Sequence, residues 1–251
     1  MSDIDLAVAR LRQARAGQSA PSAPELPDAA AAYAAQEQVA RELGWFGDHP
    51  PRFWKSGGPS REAVALHAAL PPAGVWSSPA DASAWPLTLR GIEAEIALRL
   101  GQPVDAQRAA TLDLEGARRL VDAMCVSIEI VDSRWAERLQ ANRLAKLADV
   151  LSHGALVLGH WVAFDAQRDW SDQVCRVRVG TQPTQVFRGT HPVADPVFVL
   201  SAWLRHATRH GAVVPAGSVV TTGTWCGLLH AEPGDEVEVA FERIGQASVR
   251  L

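Results

Sequence analysis

Three glutamates sit in strand-like apolar stretches where charge is costly. Two lie in GIEAEIALRL (residues 91–100), and the third lies in VSIEIV (residues 126–131). A β-strand sends alternate side chains to opposite faces, so Glu93 and Glu95 share one face and Ile92, Ala94, Ile96 and Leu98 the other. The two carboxylates then stand roughly 6.6–6.8 Å apart along the strand, both negative. Glu129 has isoleucine on either side, and a buried charge is expensive unless paired. A divalent cation held by hard carboxylate oxygens would resolve all three conflicts at once. Two other readings remain open on the pattern alone. Glu93 and Glu95 could line the solvent face of an antiparallel strand, and Glu129 could pair with an arginine such as Arg134.

The rest of the chain supplies many short strands behind a helical beginning. Residues 2–16 predict an amphipathic helix, and residues 17–27 a Gly/Pro/Ser/Ala linker. Asp28 caps a second helix that runs to Leu43, with Gly44 as its stop. Residues 52–55 read as a strand entering the turn Ser56-Gly57-Gly58-Pro59, and residues 60–70 read as a helix. Residues 87–100 form the first long strand, with a bulge expected at Arg90-Gly91. Asp113 caps a helix reaching Met124, and strands follow at 125–131, 155–158, 174–179 and 184–187. Asp195-Pro196 opens a helix ending at Gly211, because a capping side chain precedes proline at the first helical position. Residues 218–222, 237–241 and a stretch ending at Leu251 complete the strands. This order predicts an α+β fold rather than a regular βαβ alternation. We divide the chain into a helical part, residues 1–50, and a β-rich catalytic part, residues 51–251.

Composition narrows the function. The net charge of −4 indicates no broad basic surface, so nucleic acid is not an expected partner. No apolar run approaches the roughly 20 residues of a membrane span, so no membrane partner is expected either. The N-terminus lacks the apolar segment of a secretory signal. The 3 cysteines are scattered without metal-type spacing, which fits reduced thiols and a cytoplasmic location. Among 24 basic residues only Lys55 and Lys146 are lysines. A lysine kept against such a bias can do what arginine cannot, namely lose its proton near physiological pH. Lys55 could equally be a surface residue beside a turn. His206 and His210 are four apart on a helix without a metal-binding pattern and read as a solvated face. His191, before Pro192, reads as a loop-shaping residue.

GIEAEIALRL resembles the Glu-x-Glu metal strand of the fumarylacetoacetate hydrolase superfamily, and VSIEIVDSRW resembles the segment that supplies its third carboxylate. The C-terminal stretches GTHPVADPVFVLSAWL, PAGSVVTTGTWCG and GDEVEVAFERIG follow the family's helix, Thr-Gly loop and closing hairpin in order. Within the superfamily the chain is most similar to the 2-keto-4-pentenoate hydratase and 4-oxalocrotonate decarboxylase branch. The resemblance implies a mixed β-sandwich roll with a small helical N-terminal part. It implies Mg²⁺ or Mn²⁺ held by Glu93, Glu95 and Glu129, and Lys55 as an acid/base residue. It implies a small 2-oxo or 2-hydroxy-dienoic acid as ligand, with Gly57, Ser152, Thr222, Gly223 and Thr224 as substrate-binding positions. It also implies a homo-oligomer, or assembly with a homologous decarboxylase or hydratase.

Such a metal site serves hydration, decarboxylation or C–C cleavage, because each passes through negative charge on the C2 oxygen. Lys55 serves if burial and the metal lower its pKa toward neutrality. On residue chemistry alone, Thr222-Gly223-Thr224 either donates to a substrate carboxylate or simply closes a hairpin. Arg134 and Arg52 are candidates to neutralise a second acidic group on the substrate. Trp225 is a candidate pocket wall. The chain also departs from the family pattern. Leu70-Pro71-Pro72-Ala73-Gly74 lacks the hydratases' aspartate, and Ala148-Asp149-Val150-Leu151-Ser152 lacks their asparagine. His153 stands where a small residue is usual, so it either intrudes on the site or replaces a lost donor.

Overall fold

The computed structural model describes residues 2–251; Met1 lies outside them. Two helices open the chain, α1 (Asp3–Arg15) and α2 (Ala29–Glu42). Ser2 accepts a hydrogen bond from the Asp5 N–H, and the Asp5 carboxylate accepts one from the Ser2 N–H, a reciprocal capping box. Asp28 caps α2, and Gly44 takes φ 65° just past its end, where residues with a Cβ are strained. Shorter helices follow: α3 (Ala106–Thr111), α4 (Leu114–Arg118), α5 (Arg143–Ala148) and α6 (Leu200–Ala207).

The strands are β1 (Phe53–Gly57), β2 (Leu66–Ala69), β3 (Val75–Ser77), β4 (Ala80–Asp81), β5 (Gly91–Leu100), β6 (Val121–Val131) and β7 (His153–Leu158). They continue as β8 (Val162–Ala163), β9 (Val174–Val179), β10 (Gln185–Arg188), β11 (Val219–Thr221), β12 (Leu229–His230), β13 (Glu236–Phe241) and β14 (Gly245–Arg250). A 9-stranded sheet has the order β2-β1-β11-β5-β6-β7-β3, with β12 added on β5 and β8 on β6. A 5-stranded sheet has the order β10-β9-β13-β14-β4. The mixed α+β expectation holds.

The main core lies between the sheets. Ile92, Ala94, Ile96 and Leu98 of β5 and Val126, Ile128 and Ile130 of β6 join Val177, Val239, Ala247 and Val249 of the smaller sheet. Burying one such valine, leucine or isoleucine side chain contributes roughly 1.5–3 kcal/mol. Alternation then forces Glu93, Glu95, Ser127 and Glu129 onto the other face of the large sheet. That face is lined by Ala68, Ala97, Cys125, Leu156 and Val219. Over the N-terminal side, Ala7, Val8, Leu11, Ala32, Ala35 and Val39 pack with Trp135, Ala145 and Leu147.

Several elements differ from the sequence reading. Residues 60–70 form bends followed by β2 rather than a helix. The alanine-rich stretch pairs with β1 (Trp54 opposite Ala69, Ser56 opposite His67), and that pairing outweighs helix propensity. The helix after Asp113 ends at Arg118, because residues from Val121 onward are taken up by pairing with β5. The helix α3 and the short strands β3, β4, β8 and β12 were not anticipated. The long strand begins at Gly91, after Arg90 at φ 50°, and its register shift falls at Arg99/Leu100. Glycine at position 91 allows close packing, since a Cβ there would lie 2.8 Å from Leu228 Cδ1 and 3.1 Å from Val131 Cβ and would force those side chains to shift. The helix after Pro196 starts as a 3₁₀ turn and ends at Ala207, short of the expected Gly211. No helix among the described residues is long and apolar enough to cross a membrane.

Residues 149–153 are an unusual connection. Val150, Leu151 and Ser152 all take positive φ, at 53°, 55° and 59°. A β-branched valine at positive φ is a genuine outlier, and such strain persists only where the surroundings over-determine it. Here Asp149, with its side chain 0% exposed, anchors the turn. It accepts from Arg134 Nε at 2.7 Å, the Arg134 backbone N–H at 3.0 Å and Arg15 Nη2 at 3.1 Å. Arg134 thus serves Asp149 rather than Glu129. Asp149→Ala would leave two guanidiniums without their partner and release the strained turn. The expected result is a loss of about 3 kcal/mol in urea unfolding, in the range for one partner removed from a buried pair.

Candidate metal centre

Strand register builds the site. Glu93 lies directly opposite Glu129, and Glu95 opposite Ser127, across the β5–β6 ladder. Like charges placed opposite one another destabilise a sheet, so this pairing needs a compensating cation. One carboxylate oxygen from each of Glu93, Glu95 and Glu129 lies within 4.8 Å of the others. Glu95 and Glu129 are buried and Glu93 is half-buried. The parallel pairing of β1 with β11 sets Lys55 beside Thr221, and β11 pairs with β5, so Lys55 reaches the same face. Lys55 Nζ donates to Glu129 Oε1 at 2.5 Å and to the Leu151 carbonyl at 3.2 Å. Thr221 donates to Glu95, and its hydroxyl is 2.9 Å from Ser127 Oγ.

His153 is buried with Nδ1 at 3.1 Å from Glu129 Oε1. Burial pushes its imidazole pKa down despite the neighbouring carboxylate, so it is neutral and gives its Nδ1 proton to Glu129. It therefore supports the site as a donor. Glu129 Oε2 and His153 Nε2 are buried without a hydrogen-bond partner among the described residues.

The electrostatics separate the three acids. Burial first, then the charge of Glu129, pushes Glu93 up to about 8 and Glu95 up to about 7. Burial also acts to raise Glu129, but Lys55 and His153 outweigh it and hold its pKa below the usual carboxylate range. Burial acts to lower Lys55, but Glu129, Glu93 and Glu95 outweigh that, so its pKa lies above the ordinary lysine value. Without a metal, then, Lys55 is not brought toward neutrality as the sequence reading required. Glu93 and Glu95 are raised above their unfolded value of 4.5, so their contribution is fully present below that pH. It is lost as pH rises toward about 7 and 8. Melting temperature without metal should therefore fall between pH 5 and 8. The stabilisation gained on adding Mg²⁺ should grow over the same window, since ligating carboxylates must lose their protons.

A cavity of about 190 Å³ opens over the cluster, lined by Lys55, Ser56, Gly57, Gly58, Leu66, Glu93, Glu95, Leu151, Pro192, Thr221, Gly223 and Thr224. Larger clefts lie beside Ser78 and Arg176, about 490 Å³, and beside Arg61 and Arg205, about 550 Å³. Neither contains a converging carboxylate set, so chemistry rather than size singles out the smaller cavity. Gly57, Gly223 and Thr224 of the expected substrate positions line it. Thr222 does not. Its hydroxyl donates to the Ile96 carbonyl, because strand parity turns Thr221 toward Glu95 and Thr222 away. The Ser152 hydroxyl is buried without a partner among the described residues.

Residues outside this cluster settle elsewhere. Trp225 is buried in the core against Trp170 and Phe241 and does not wall the cavity. His206 stacks on Tyr33 and His67 rather than facing solvent. His191 Nε2 lies 3.0 Å from the Thr222 carbonyl and shapes that loop. All 3 cysteines are free and buried. Thr221, Leu66 and Pro192 were not singled out from sequence; only the parity of the Ser218–Thr222 stretch could have pointed to Thr221.

Residues 65–251 match the family described as fumarylacetoacetate (FAA) hydrolase C-terminal. The chain belongs to this family. The 2-keto-4-pentenoate hydratase 2 of Dechloromonas aromatica (strain RCB) is 28% identical over 158 residues, 62% of this chain and 58% of that one. The 4-oxalocrotonate decarboxylase of Pseudomonas putida is 23% identical over 160 residues, 64% of this chain and 59% of that one. Each match thus spans less than two thirds of the relative's own length. The structure of 4-oxalocrotonate decarboxylase from Pseudomonas putida G7, complexed with magnesium and adipate, shares the fold. Its TM-score is 0.80 at 18% identity, with 98% of this chain and 97% of that one covered.

The donor set fits the dication that the family implies. Three hard oxygen donors converge, two of them on carboxyls that burial resists ionising, and the orphaned Glu129 Oε2 has a free lone pair.

Proposed function

We propose that this chain is a divalent-metal-dependent lyase acting on 2-hydroxy-2,4-dienoates or 2-oxo acids, as a hydratase or a related decarboxylase. One observation carries the reading: Glu93, Glu95 and Lys55 line a single cavity, and the buried Glu129 joins them, with a carboxylate oxygen within 4.8 Å of those of Glu93 and Glu95 and a hydrogen bond from Lys55. The family and its hydratase and decarboxylase relatives support it. Glu93, Glu95 and Glu129 would hold Mg²⁺ or Mn²⁺. When bound, the ion would supply a Lewis acid that stabilises negative charge on the C2 oxygen of a 2-oxo acid.

The chain's own residues do the rest. Lys55 has three N–H donors and uses two, on Glu129 and Leu151. The third remains for substrate, which makes Lys55 the proton carrier of the site. Glu129 and the Leu151 carbonyl fix its position. Gly57, Gly223 and Thr224 would form the wall against the substrate's carboxylate end. Ser152 and Thr222, which do not line the cavity, would act by holding the turn and the loop whose neighbouring residues do.

Incubation with Mg²⁺ and 2-hydroxypenta-2,4-dienoate should bleach the dienol absorbance, and EDTA should abolish the change. No metal-dependent change with this acid or its longer relatives would overturn the reading. A second reading, decarboxylation of a small 2-oxo acid or C–C hydrolysis of an acylpyruvate, is favoured by the missing aspartate and asparagine. The stretch Leu70-Pro71-Pro72-Ala73-Gly74 carries no aspartate, and Val150, buried and apolar, stands in place of the asparagine. Product analysis separates the cases: hydration keeps all carbons together, decarboxylation releases CO₂, and cleavage yields two acids. Homo-oligomerisation is part of the proposal and is read by sedimentation. Co-purification with an active homologue and no activity alone would identify a non-catalytic partner subunit instead.

A further inference from the structure

Resting on the lyase reading above, we propose that the site takes 2-oxo or 2-hydroxy-dienoic acids with one carboxylate and a short, uncharged far end. Leu66, Leu151 and Pro192 are the residues that impose this.

Among the described residues Lys55 is the one cation lining the cavity, and it is bonded to Glu129. Glu93 and Glu95 of the lining, with Glu129 beside them, set three carboxylates against one ammonium, and a dication would bring this cluster to neutrality. A substrate with one carboxylate would then leave one net negative charge, offset by that carboxylate's direct contact with the metal. A second carboxylate would add another with nothing to meet it, and Glu93 and Glu95 would repel it. Removing such a group from water without a partner is strongly unfavourable.

The polar groups that might receive a second carboxylate are engaged elsewhere. Thr221 gives its hydroxyl proton to Glu95. Thr224 Oγ1 donates to the Gly227 carbonyl at 2.8 Å, and Ser56 Oγ lies 2.8 Å from His67 Nδ1. The two arginines that the sequence offered for this task are bound to other groups. Arg134 is held by Asp149, and Arg52 Nη2 donates to the Ala216 carbonyl at 3.1 Å. Arg61 is likewise engaged elsewhere. Its Nε donates to the Val193 carbonyl at 2.7 Å, its guanidinium sits over Phe198, and it lines the neighbouring cleft. The side chains that Leu66, Leu151 and Pro192 contribute to the wall are apolar.

A matched pair of non-reacting acids tests this by calorimetry in Mg²⁺. 2-Oxopentanoate and 2-oxoglutarate have the same five carbons and differ only in a terminal methyl against a carboxylate. The monocarboxylate should bind at least about 10-fold more tightly. Equal or tighter binding of 2-oxoglutarate overturns the inference and leaves the lyase reading standing. Binding of Mg²⁺ but of neither acid overturns both. Leu66→Arg, with its fold checked by circular dichroism, should shift the preference toward 2-oxoglutarate by about 10-fold or more. An unchanged preference in folded protein removes Leu66 from the assignment. Arg61→Ala should leave the wild-type preference as it is, and a changed preference would place the far end of the substrate in the neighbouring cleft instead.

Discussion

Glutamine in place of Glu129 is expected to weaken Mg²⁺ binding by more than the ~10–100-fold typical of an outer-shell change, and to silence turnover with it. The reason is the unequal ionisation of the cluster. Near neutrality Glu93 and Glu95, raised to about 8 and about 7, are partly protonated in the metal-free protein. Glu129 is held ionised by Lys55 and His153 against the effect of its burial. It is the standing charge that an incoming dication meets, and its Oε2 has no competing partner. Glutamine keeps nearly the same shape and removes that charge. The change also relieves Glu93 and Glu95 of a repelling neighbour, so fewer protons should be released when Mg²⁺ binds. Lys55 would keep Glu93 and Glu95 as counter-charges. The stability loss should therefore fall short of the ~3–5 kcal/mol usual for a broken buried pair. Calorimetry in two buffers of different ionisation heat reads affinity and proton release together. Wild-type Mg²⁺ affinity in this variant would mean that the triad is not the metal centre.

What could be read from sequence was local. Alternation alone put Glu93 and Glu95 on one face and the isoleucines on the other, because parity along a single strand needs no partner. The caps of α1 and α2 were equally visible, since a capping residue acts within three positions. What escaped depended on pairing between distant segments. Lys55 meets Glu129 only because β1 lies parallel to β11 and β11 antiparallel to β5, a register that no local pattern encodes. The same register selects Thr221 over Thr222 for the site. Residues 60–70 carry helix-forming alanines yet become the edge strand β2, since pairing with β1 decides their state. Leu66 and Pro192 reach the cavity from β2 and from a loop, and nothing in their own neighbourhoods marks them. The strained turn 150–152 was hidden for a further reason. Val150 is a residue that avoids positive φ, and bonds from distant segments hold the turn: Arg15 and Arg134 on Asp149, Lys55 on the Leu151 carbonyl and Asp132 on the Ser152 carbonyl.

Lys55→Arg should lower kcat by about 10²–10⁴-fold while Mg²⁺ affinity stays within a few-fold of wild type. The two halves of this expectation have separate causes. Arginine keeps the positive charge beside Glu129, so the field felt by the metal ligands changes little. Arginine cannot give up its proton near physiological pH, so a group that must cycle between charged and neutral forms is lost. In the metal-free site burial acts to lower Lys55, and its attraction to Glu129, Glu93 and Glu95 wins, keeping it protonated. Once those carboxylates are committed to a dication, that attraction weakens while the burial stays. The balance then moves Lys55 downward, toward the range where it can exchange a proton with substrate. Its proton-transfer role is therefore conditional on metal loading, and the acid limb of the pH–rate profile should shift with metal identity in wild type. In Lys55→Arg that limb should be absent. Lys55→Met controls for the larger size of arginine: it should also lose turnover, with its fold intact by circular dichroism. Wild-type kcat in either variant would remove Lys55 from proton transfer and leave it as a counter-charge for Glu129.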